Sequence, residues 1–264
     1  MKLIFLKLGG SLITDKKIPQ TARIKIINRI SHEISSALDA DNNIRLVIGH
    51  GSGSFGHITA NRFNTINGVQ SRKDWNGFIQ VRDDAHKLNQ IIINSLRHHK
   101  LNVITFAPSS SILSQNRNII SWDIKPIKLA IENNLIPVIY GDVVFDKTLG
   151  GTILSTEDLF YYLANELKPD QILIAGEEPG VFDDFPECRN LIPEINHNNF
   201  NKLEKHIGNS KYTDVTGGMI NKVKTLLDIT QNSHETEILI FSAKYENSIN
   251  YAMSGMKKGT IIRK

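Results

Sequence analysis

Three glycine-rich segments are the places in this chain where an anion could approach the backbone closely. They are residues 7–11 (KLGGS), 49–57 (GHGSGSFGH) and 214–219 (DVTGGM). Glycine lets several backbone N–H groups point into one concavity, and a helix N-terminus behind the turn adds unpaired donors. Any one of these segments fits an ordinary tight turn equally well. Because all three are predicted at one edge of a sheet, together they predict a site for several phosphates.

Three lysines are placed where they could neutralise such phosphates. Lys7 ends an apolar strand-like run and directly precedes two glycines, which favours phosphate contact over a solvent-facing role. Lys222 follows Gly218 by one helical turn and could reach an anion at that helix end. Lys16 lies on the loop after the first segment, where a surface position is an equally good interpretation.

Asp158, His57 and Asp142 are the other candidates. Asp158 lies at the start of a predicted helix, where its carboxylate could cap the helix or hold two lysines in register. His57 closes the second glycine segment, so its imidazole could donate to a phosphate oxygen. Asp142 follows a predicted strand and is the weaker carboxylate candidate.

Phosphoryl transfer is the chemistry that fits this set. Its transition state spreads negative charge over the transferred group, so positioning and positive charge matter more than covalent catalysis. Mg²⁺ would bridge the nucleotide phosphates. A dinucleotide fingerprint is matched literally at Gly51, Gly53 and Gly56, but the acidic residue 20 or so positions on, Asp74, does not end a strand. The chain has no Walker motif, no Gly-x-Ser-x-Gly serine and no spacing typical of a structural metal.

The composition is that of a folded globular protein. Hydrophobic residues make up 40% of the 264 residues and charged residues 22%, which excludes a disordered or collagen-like chain. The net charge of +4 is spread without a basic run, which argues against a nucleic-acid partner. A single cysteine, Cys188, excludes an intramolecular disulfide. Apolar runs are too short for a membrane span, and the N-terminus has only four consecutive apolar residues between lysines, too few for a secretory signal. We therefore expect a soluble cytoplasmic protein without a membrane partner.

The hydrophobic pattern alternates short apolar runs with longer amphipathic ones. Strands are predicted at residues 2–8, 44–49, 102–106, 135–140, 171–175, 237–242 and 260–263, and helices at 22–39, 78–96, 123–134, 157–167 and 217–230. This order predicts an α/β fold, one continuous and mostly parallel sheet covered by helices on both faces. A hairpin turn is expected at residues 146–151 and irregular structure at 177–199. We expect two lobes, residues 1–168 and 169–264, within one domain.

The same residues resemble a known family, the amino acid kinase superfamily, and within it the isopentenyl phosphate kinase branch. The resemblance spans nearly the whole chain, and its joint pattern is more specific than any single motif. It rests on residues 7–16 (KLGGSLITDK), 51–57 (GSGSFGH), 141–142 (GD), 162–167 (YLANEL) and 214–219 (DVTGGM).

The resemblance implies an αβα sandwich and a homodimer, with an N-terminal lobe for an isoprenoid monophosphate and a C-terminal lobe for ATP. The phosphates of ATP would meet Lys7, Gly9, Gly10, Ser11, Gly53, Gly218 and Lys222, and the nucleotide side would include Gly176 and Glu177. Lys16 would assist transfer and Asp158 would organise the lysines. The acceptor phosphate would be held by Ser52, Gly53, His57 and Thr156. No protein metal site is implied.

Two departures from the family pattern stand out. Ser52 replaces the middle glycine of a common Gly-Gly-Gly, and Gly176-Glu177 occupies a segment that usually carries Thr-Asp. Trp75, Phe78 and Ile79 could form an apolar wall for the acceptor's tail, although ordinary core packing explains each of them as well.

Two alternatives keep the fold and the kinase activity but change the acceptor, and a third keeps nucleotide binding without catalysis. Fosfomycin kinase resembles this branch and also uses a histidine at the His57 position, and uridylate kinase is a more distant option. A nucleotide-binding sensor without turnover is the alternative from another functional class.

Overall fold

The computed structural model describes residues 1–184, 187–205, 207, 218–233 and 235–264. The part of the third glycine segment before Gly218 lies outside these residues. Within them the strands are β1 (Lys2–Leu8), β2 (Ile44–His50), β3 (Val103–Thr105), β4 (Ile112–Gln115), β5 (Asn118–Trp122), β6 (Ile136–Tyr140), β7 (Asp142–Asp146), β8 (Gly150–Leu154), β9 (Gln171–Gly176), β10 (Glu194–Ile195), β11 (Glu237–Ser242) and β12 (Thr260–Ile262).

The helices alternate with the strands along the described chain. They are α1 (Gly10–Ile13), α2 (Ile24–Ala40), α3 (Gly53–Phe63), α4 (Arg72–His98), α5 (Lys125–Glu132), α6 (Thr156–Leu167), α7 (His197–Leu203), α8 (Gly218–Asn232) and α9 (Ser248–Met253). None of the described helices is both long and apolar enough to cross a bilayer.

The main sheet has eight strands in the order β10-β12-β11-β9-β1-β2-β6-β3. Every neighbouring pair is parallel except β11 and β12. The carboxyl ends of the parallel strands therefore meet at one edge, which is where open α/β sheets bind ligands. This confirms the predicted α/β fold with a mostly parallel sheet.

Helices cover both faces of this sheet, each over its own apolar core. One core packs α2, α4 and α9 against the sheet, and the other packs α5, α6, α7 and α8 against it. Strand β1 divides its side chains between the two, since Ile4, Leu6 and Leu8 enter the first core and Phe5 enters the second. Lys7, two residues after Phe5, thus shares the face that α6 covers.

A second sheet corrects the expectation of one continuous sheet. Its four strands lie in the order β5-β4-β7-β8, and the predicted turn at residues 146–151 joins β7 to β8. It adjoins a small third core that contains Ala60, Val69, Phe78, Val81 and Val143. This sheet continues directly from β6 through Gly141, so it stands beside the edge where the site is expected.

The other elements that the pattern did not predict are short or begin at glycines. Helix α3 starts inside the second glycine segment, at Gly53. The expected irregular stretch 177–199 includes β10 and the start of α7 where it is described.

Candidate active site

A cavity of about 510 Å³ lies at the carboxyl ends of the parallel strands. Residues in or directly after five of these strands line it. They are Lys7 of β1, Gly51 after β2, Gly141 after β6, Ala175 of β9 and Ile240 of β11. The predicted site residues that line it are Lys7, Gly9, Gly10, Ser11, Lys16, Ser52, Gly53, His57, Thr156, Gly176, Glu177 and Lys222. Asp158 and Gly218 do not.

The first two glycine segments form one interlocked cradle. A Cβ on Gly10 would lie 2.7 Å from the backbone nitrogen of Gly53, and Gly53 itself has a left-handed φ of 49°. Thr14 joins the segments, because its hydroxyl donates to the carbonyl of Gly10 at 2.7 Å and accepts from the N–H of Ser54 at 3.0 Å. Glycine at both positions is therefore a packing requirement.

Helix α3 brings His57 to the cavity beside the cradle. His57 lies in its second turn and is half-buried. Ser52 precedes the helix, and a Cβ on Gly56 would lie 2.5 Å from the Ser52 hydroxyl oxygen. The imidazole and the cradle thus face the same cavity.

A buried glutamate interacts with two of the lysines that line the cavity. Glu157 is 5% exposed and forms an ion pair with Lys7. Burial opposes ionisation of Glu157, but the ammonium groups of Lys7 and then Lys222 outweigh it and hold its pKa below the usual value. Both lysines therefore act on this one carboxylate.

Asp158, for which the sequence leaves open a role as helix cap or as the group that holds the lysines, caps its helix. Its carboxylate accepts from the N–H and hydroxyl of Ser155 and so closes the capping box of α6. Burial raises the pKa of Asp158, and the Arg117 guanidinium lies 4.0 Å from its carboxylate. One residue along a helix turns the side chain by about 100°, so Glu157 faces β1 and Asp158 does not.

Sequence reasoning missed Glu157, because the contact that places it is visible only in the fold. Phe5 packs on Phe160 with ring centroids 5.0 Å apart. Lys7 is two residues from Phe5 on a strand, and Glu157 is three residues from Phe160 on a helix, so both pairs lie on facing surfaces.

The segment at Gly176 and Glu177 is held by an ion pair as well. Glu177 pairs with Arg23, at the start of α2, and its backbone carbonyl accepts from the Ser242 hydroxyl at 2.7 Å. Gly218 is buried at the first position of α8 with a left-handed φ of 72°, although it does not line the cavity.

The apolar part of the cavity differs from the expected wall. Ile58, Ala60, Val81 and Ile153 line it, whereas Trp75, Phe78 and Ile79 do not. Phe78 lies behind Val81 in the third core at 6% exposure, and Ile79 is 54% exposed. The wall thus comes from α3 and β8 as well as α4, which nearness in sequence could not reveal.

Two further polar side chains, Asp142 and Thr156, line the cavity. Asp142 lines the cavity at 1% exposure, and it accepts from the N–H groups of Ser109 and Val143. Thr156 lines it too, but its hydroxyl donates to the carbonyl of His50 at 2.7 Å. That hydroxyl proton is directed at the sheet instead of at a ligand.

The arrangement can be compared with known proteins. The sequence profile described as the amino acid kinase family matches residues 2–242. The chain belongs to the amino acid kinase family. It is 34% identical to isopentenyl phosphate kinase of Methanocaldococcus jannaschii over 269 residues, which cover 98% of each chain. It is 30% identical to the enzyme of the same name from Methanothermobacter thermautotrophicus, again over 98% of each.

Solved structures agree with this family assignment. An X-ray structure of isopentenyl phosphate kinase superposes with a TM-score of 0.84 at 27% identity, over 98% of this chain and 99% of that one. A Thermoplasma acidophilum isopentenyl phosphate kinase, solved as a product complex, superposes with a TM-score of 0.78 at 25% identity and full coverage. In this amino acid kinase fold, one cavity is lined by a lysine pair, the glycine cradle, the His57 imidazole and an apolar wall.

Proposed function

We propose that this chain transfers the γ-phosphoryl group of ATP to isopentenyl phosphate, giving isopentenyl diphosphate and ADP. A phosphate oxygen of the acceptor attacks the γ-phosphorus while the bond from that phosphorus to the β–γ bridging oxygen breaks. The observation that carries the proposal is that one cavity is lined by Lys7 and Lys222, by the His57 imidazole and by apolar side chains that include Ile58 and Val81. Relatives at 34% and 30% identity with this activity in their names support it.

Each part of the cavity has a role in this reaction. Lys7 and Lys222 would stabilise charge on the phosphoryl group in transfer, and Lys16 would assist from its loop. Gly9, Gly10, Ser11 and Gly53 would cradle ATP phosphates. His57 and Ser52 would hold the acceptor phosphate while the apolar wall takes its five-carbon tail, which excludes water from the reacting groups.

The nucleotide would bring Mg²⁺ with it. Magnesium in kinases is held largely by substrate phosphates and waters, with few protein ligands. No group of three or more His, Cys, Asp or Glu side chains within the described ranges is arranged to hold a metal ion. The N–H groups of the glycine cradle suit phosphate oxygens, so Mg²⁺ would be carried by the bound phosphates and not by protein side chains. We also propose a cytoplasmic homodimer acting in isoprenoid biosynthesis, as the family resemblance implies.

An acceptor panel tests the function. ADP release is measured with isopentenyl phosphate, fosfomycin, UMP and no acceptor, and the phosphorylated product is identified by mass spectrometry. The expected result is a kcat/KM for isopentenyl phosphate far above the others. A rate equal to the acceptor-free blank would overturn the proposal, and faster turnover of fosfomycin or UMP would transfer the assignment to that acceptor.

A further inference from the structure

A buried carboxylate outside the cavity holds two of its walls together. Asp84 lies on α4, is 6% exposed and does not line the cavity. Its Oδ1 accepts from the side-chain amide of Gln20 at 2.9 Å, and its Oδ2 accepts from the hydroxyl of Thr59 at 2.7 Å. Lys87, an exposed residue one turn along, also reaches Oδ1 at 3.0 Å.

The donors Gln20, which is exposed, and Thr59, which is half-buried, belong to the two segments that carry Lys16 and His57. Thr59 follows His57 by two residues on α3. Gln20 follows Lys16 by four residues, at the far end of the same loop, and its N–H donates to the carbonyl of Ser54 at 3.2 Å. Gln20 has a left-handed φ of 50°, an uncommon conformation for a residue with a side chain, which its hydrogen bonds hold in place.

We propose that Asp84 is a positioning residue that sets the Lys16 loop and the His57 helix at a fixed spacing. The inference rests on the proposed function, in which Lys16 acts on the phosphoryl donor's side and His57 on the acceptor's. One carboxylate oxygen fixes each segment, so the distance between the two sides is defined by a rigid group on the long helix α4.

The chemistry of a carboxylate suits this task. Hydrogen bonds to an ionised acceptor are about twice as strong as neutral ones, and the buried position of Asp84 limits competition from water on the acceptor side. The contact with Lys87 contributes little because the lysine side chain is 58% exposed. The neighbouring Asp83, whose side chain is 52% exposed, pairs only with Arg82 among the described residues and offers a matched control on the same helix.

The kinetic test compares Asp84→Ala with Asp83→Ala. Loss of the tether is expected to lower kcat/KM for isopentenyl phosphate by about 10²-fold, with kcat falling and the acceptor KM rising, since a shift of about 1 Å in a reacting group costs that much. The KM for ATP is expected to change less than twofold, and Asp83→Ala to match the wild type. Unchanged kinetics in a folded Asp84→Ala protein would overturn the proposal.

Single-arm variants separate positioning from a general packing defect. Gln20→Ala is expected to lower kcat with little change in the acceptor KM, and Thr59→Val to raise the acceptor KM with a smaller effect on kcat. Asp84→Asn is expected to restore most activity, because its amide oxygen can accept from Gln20 while its NH₂ donates to Thr59. Equal loss in all four variants would indicate packing alone and contradict the proposal.

A measurement without substrate distinguishes this inference from the proposed function. Hydrogen–deuterium exchange of the unliganded protein is expected to rise in residues 15–20 and in α3 for Asp84→Ala, and in neither for Asp83→Ala. If exchange rises in Asp84→Ala but the wild-type protein does not phosphorylate isopentenyl phosphate, the positioning role of Asp84 stands and the proposed function is refuted. No rise in either segment would refute the tether, whatever the activity.

Discussion

The negative charge of Glu157 allows the ammonium groups of Lys7 and Lys222 to lie near each other. Its buried carboxylate pairs with Lys7 and is influenced by Lys222, so it neutralises part of their mutual repulsion before ATP arrives. Glu157→Gln keeps the shape and removes the charge. We expect kcat to fall by about 10²-fold because the lysines lose their common anchor, measured by steady-state ADP release.

Asp158 provides the control for that prediction. Asp158→Ala removes the capping-box carboxylate of α6 and is expected to cost about 1 kcal/mol of stability, with kcat within twofold of wild type. Loss of turnover in Asp158→Ala together with normal turnover in Glu157→Gln would reverse the two assignments.

Two buried titratable groups beside the cradle respond to pH in opposite directions. His50 is fully buried, stacks on Tyr140 with centroids 5.3 Å apart and contacts Asn89, and burial lowers its pKa from 6.5 to about 4. Burial raises the pKa of Asp142 from 3.8 to about 6, although hydrogen bonds from Ser109 and Val143 oppose the rise.

These shifts predict compensating effects on stability. As pH falls from 6.5 to about 4, the unfolded chain protonates His50 and the folded chain does not, so the free energy of unfolding decreases. As pH falls from 6 to 3.8, the folded chain protonates Asp142 first, so the free energy of unfolding increases. Each effect amounts to about 3 kcal/mol.

Single substitutions should separate the effect of His50 on stability from that of Asp142. Urea unfolding between pH 4 and 7 should show that His50→Gln gains stability on acidification relative to wild type, and that Asp142→Asn loses it. If both variants keep the wild-type slope, the two groups do not titrate as their burial implies.

At the scale of elements, one aspartate joins the two hairpins of the second sheet. Asp146 Oδ1 accepts from the N–H groups of Asn116, Thr148 and Leu149, and Oδ2 accepts from the N–H of Arg117 and the hydroxyl of Ser114. Burial by itself raises the pKa of this carboxyl, but those donors outweigh it and lower the pKa to about 2.

Asp146→Asn is expected to destabilise the fold by about 3 kcal/mol at pH 7, since an amide nitrogen cannot accept the bonds made by Oδ2. The free-energy difference from wild type should persist above pH 3.8 and shrink as pH falls towards 2, where the native aspartate protonates. Denaturant titrations check this, with the exposed Asp123→Asn as control. A pH-independent difference would contradict the assignment.

The hairpin β4–β5 shows why some elements could not be predicted from the pattern. Its turn places Asn116 and Arg117 at φ values of 47° and 65°, the geometry of a tight hairpin turn. Asn-Gly would have marked that turn, but arginine at the second position removes the usual signal. The strands of the main sheet other than the two-residue β10 were predictable because buried strands read as continuous apolar runs.

The site was predictable to the extent that it follows strand ends. The first two glycine segments follow β1 and β2 directly and Lys7 lies near the end of β1, so their convergence follows from parallel pairing. The apolar wall and Glu157 depend on which helix face meets the sheet and on α3 and β8, which sequence neighbours do not encode. The role of Lys222 as a phosphate contact stays a prediction.

At the scale of the whole molecule, the proposed lobes share one hydrogen-bonded sheet. Strand β1 pairs with β2 on one side and with β9 on the other, so the division near residue 168 falls between adjacent strands of a continuous sheet. Helix α2 reinforces the junction from the first lobe. Arg29 donates to the carbonyls of Ala243 and Tyr245 in the second lobe.

Glu33, also on α2, completes that junction and carries the final prediction. Its carboxylate pairs with Arg29 and accepts from the N–H groups of Asn247 and Ile249, at the start of α9. Removing one partner of a buried ion pair leaves the other uncompensated, so Glu33→Ala should lower the free energy of unfolding by about 3 kcal/mol, whereas the exposed Asp39→Ala should not. Because both lobes share the sheet, unfolding should remain one transition, followed by circular dichroism and tryptophan fluorescence together. Two separated transitions in the wild type or in Glu33→Ala would show that the lobes unfold independently, and that the shared sheet does not couple them.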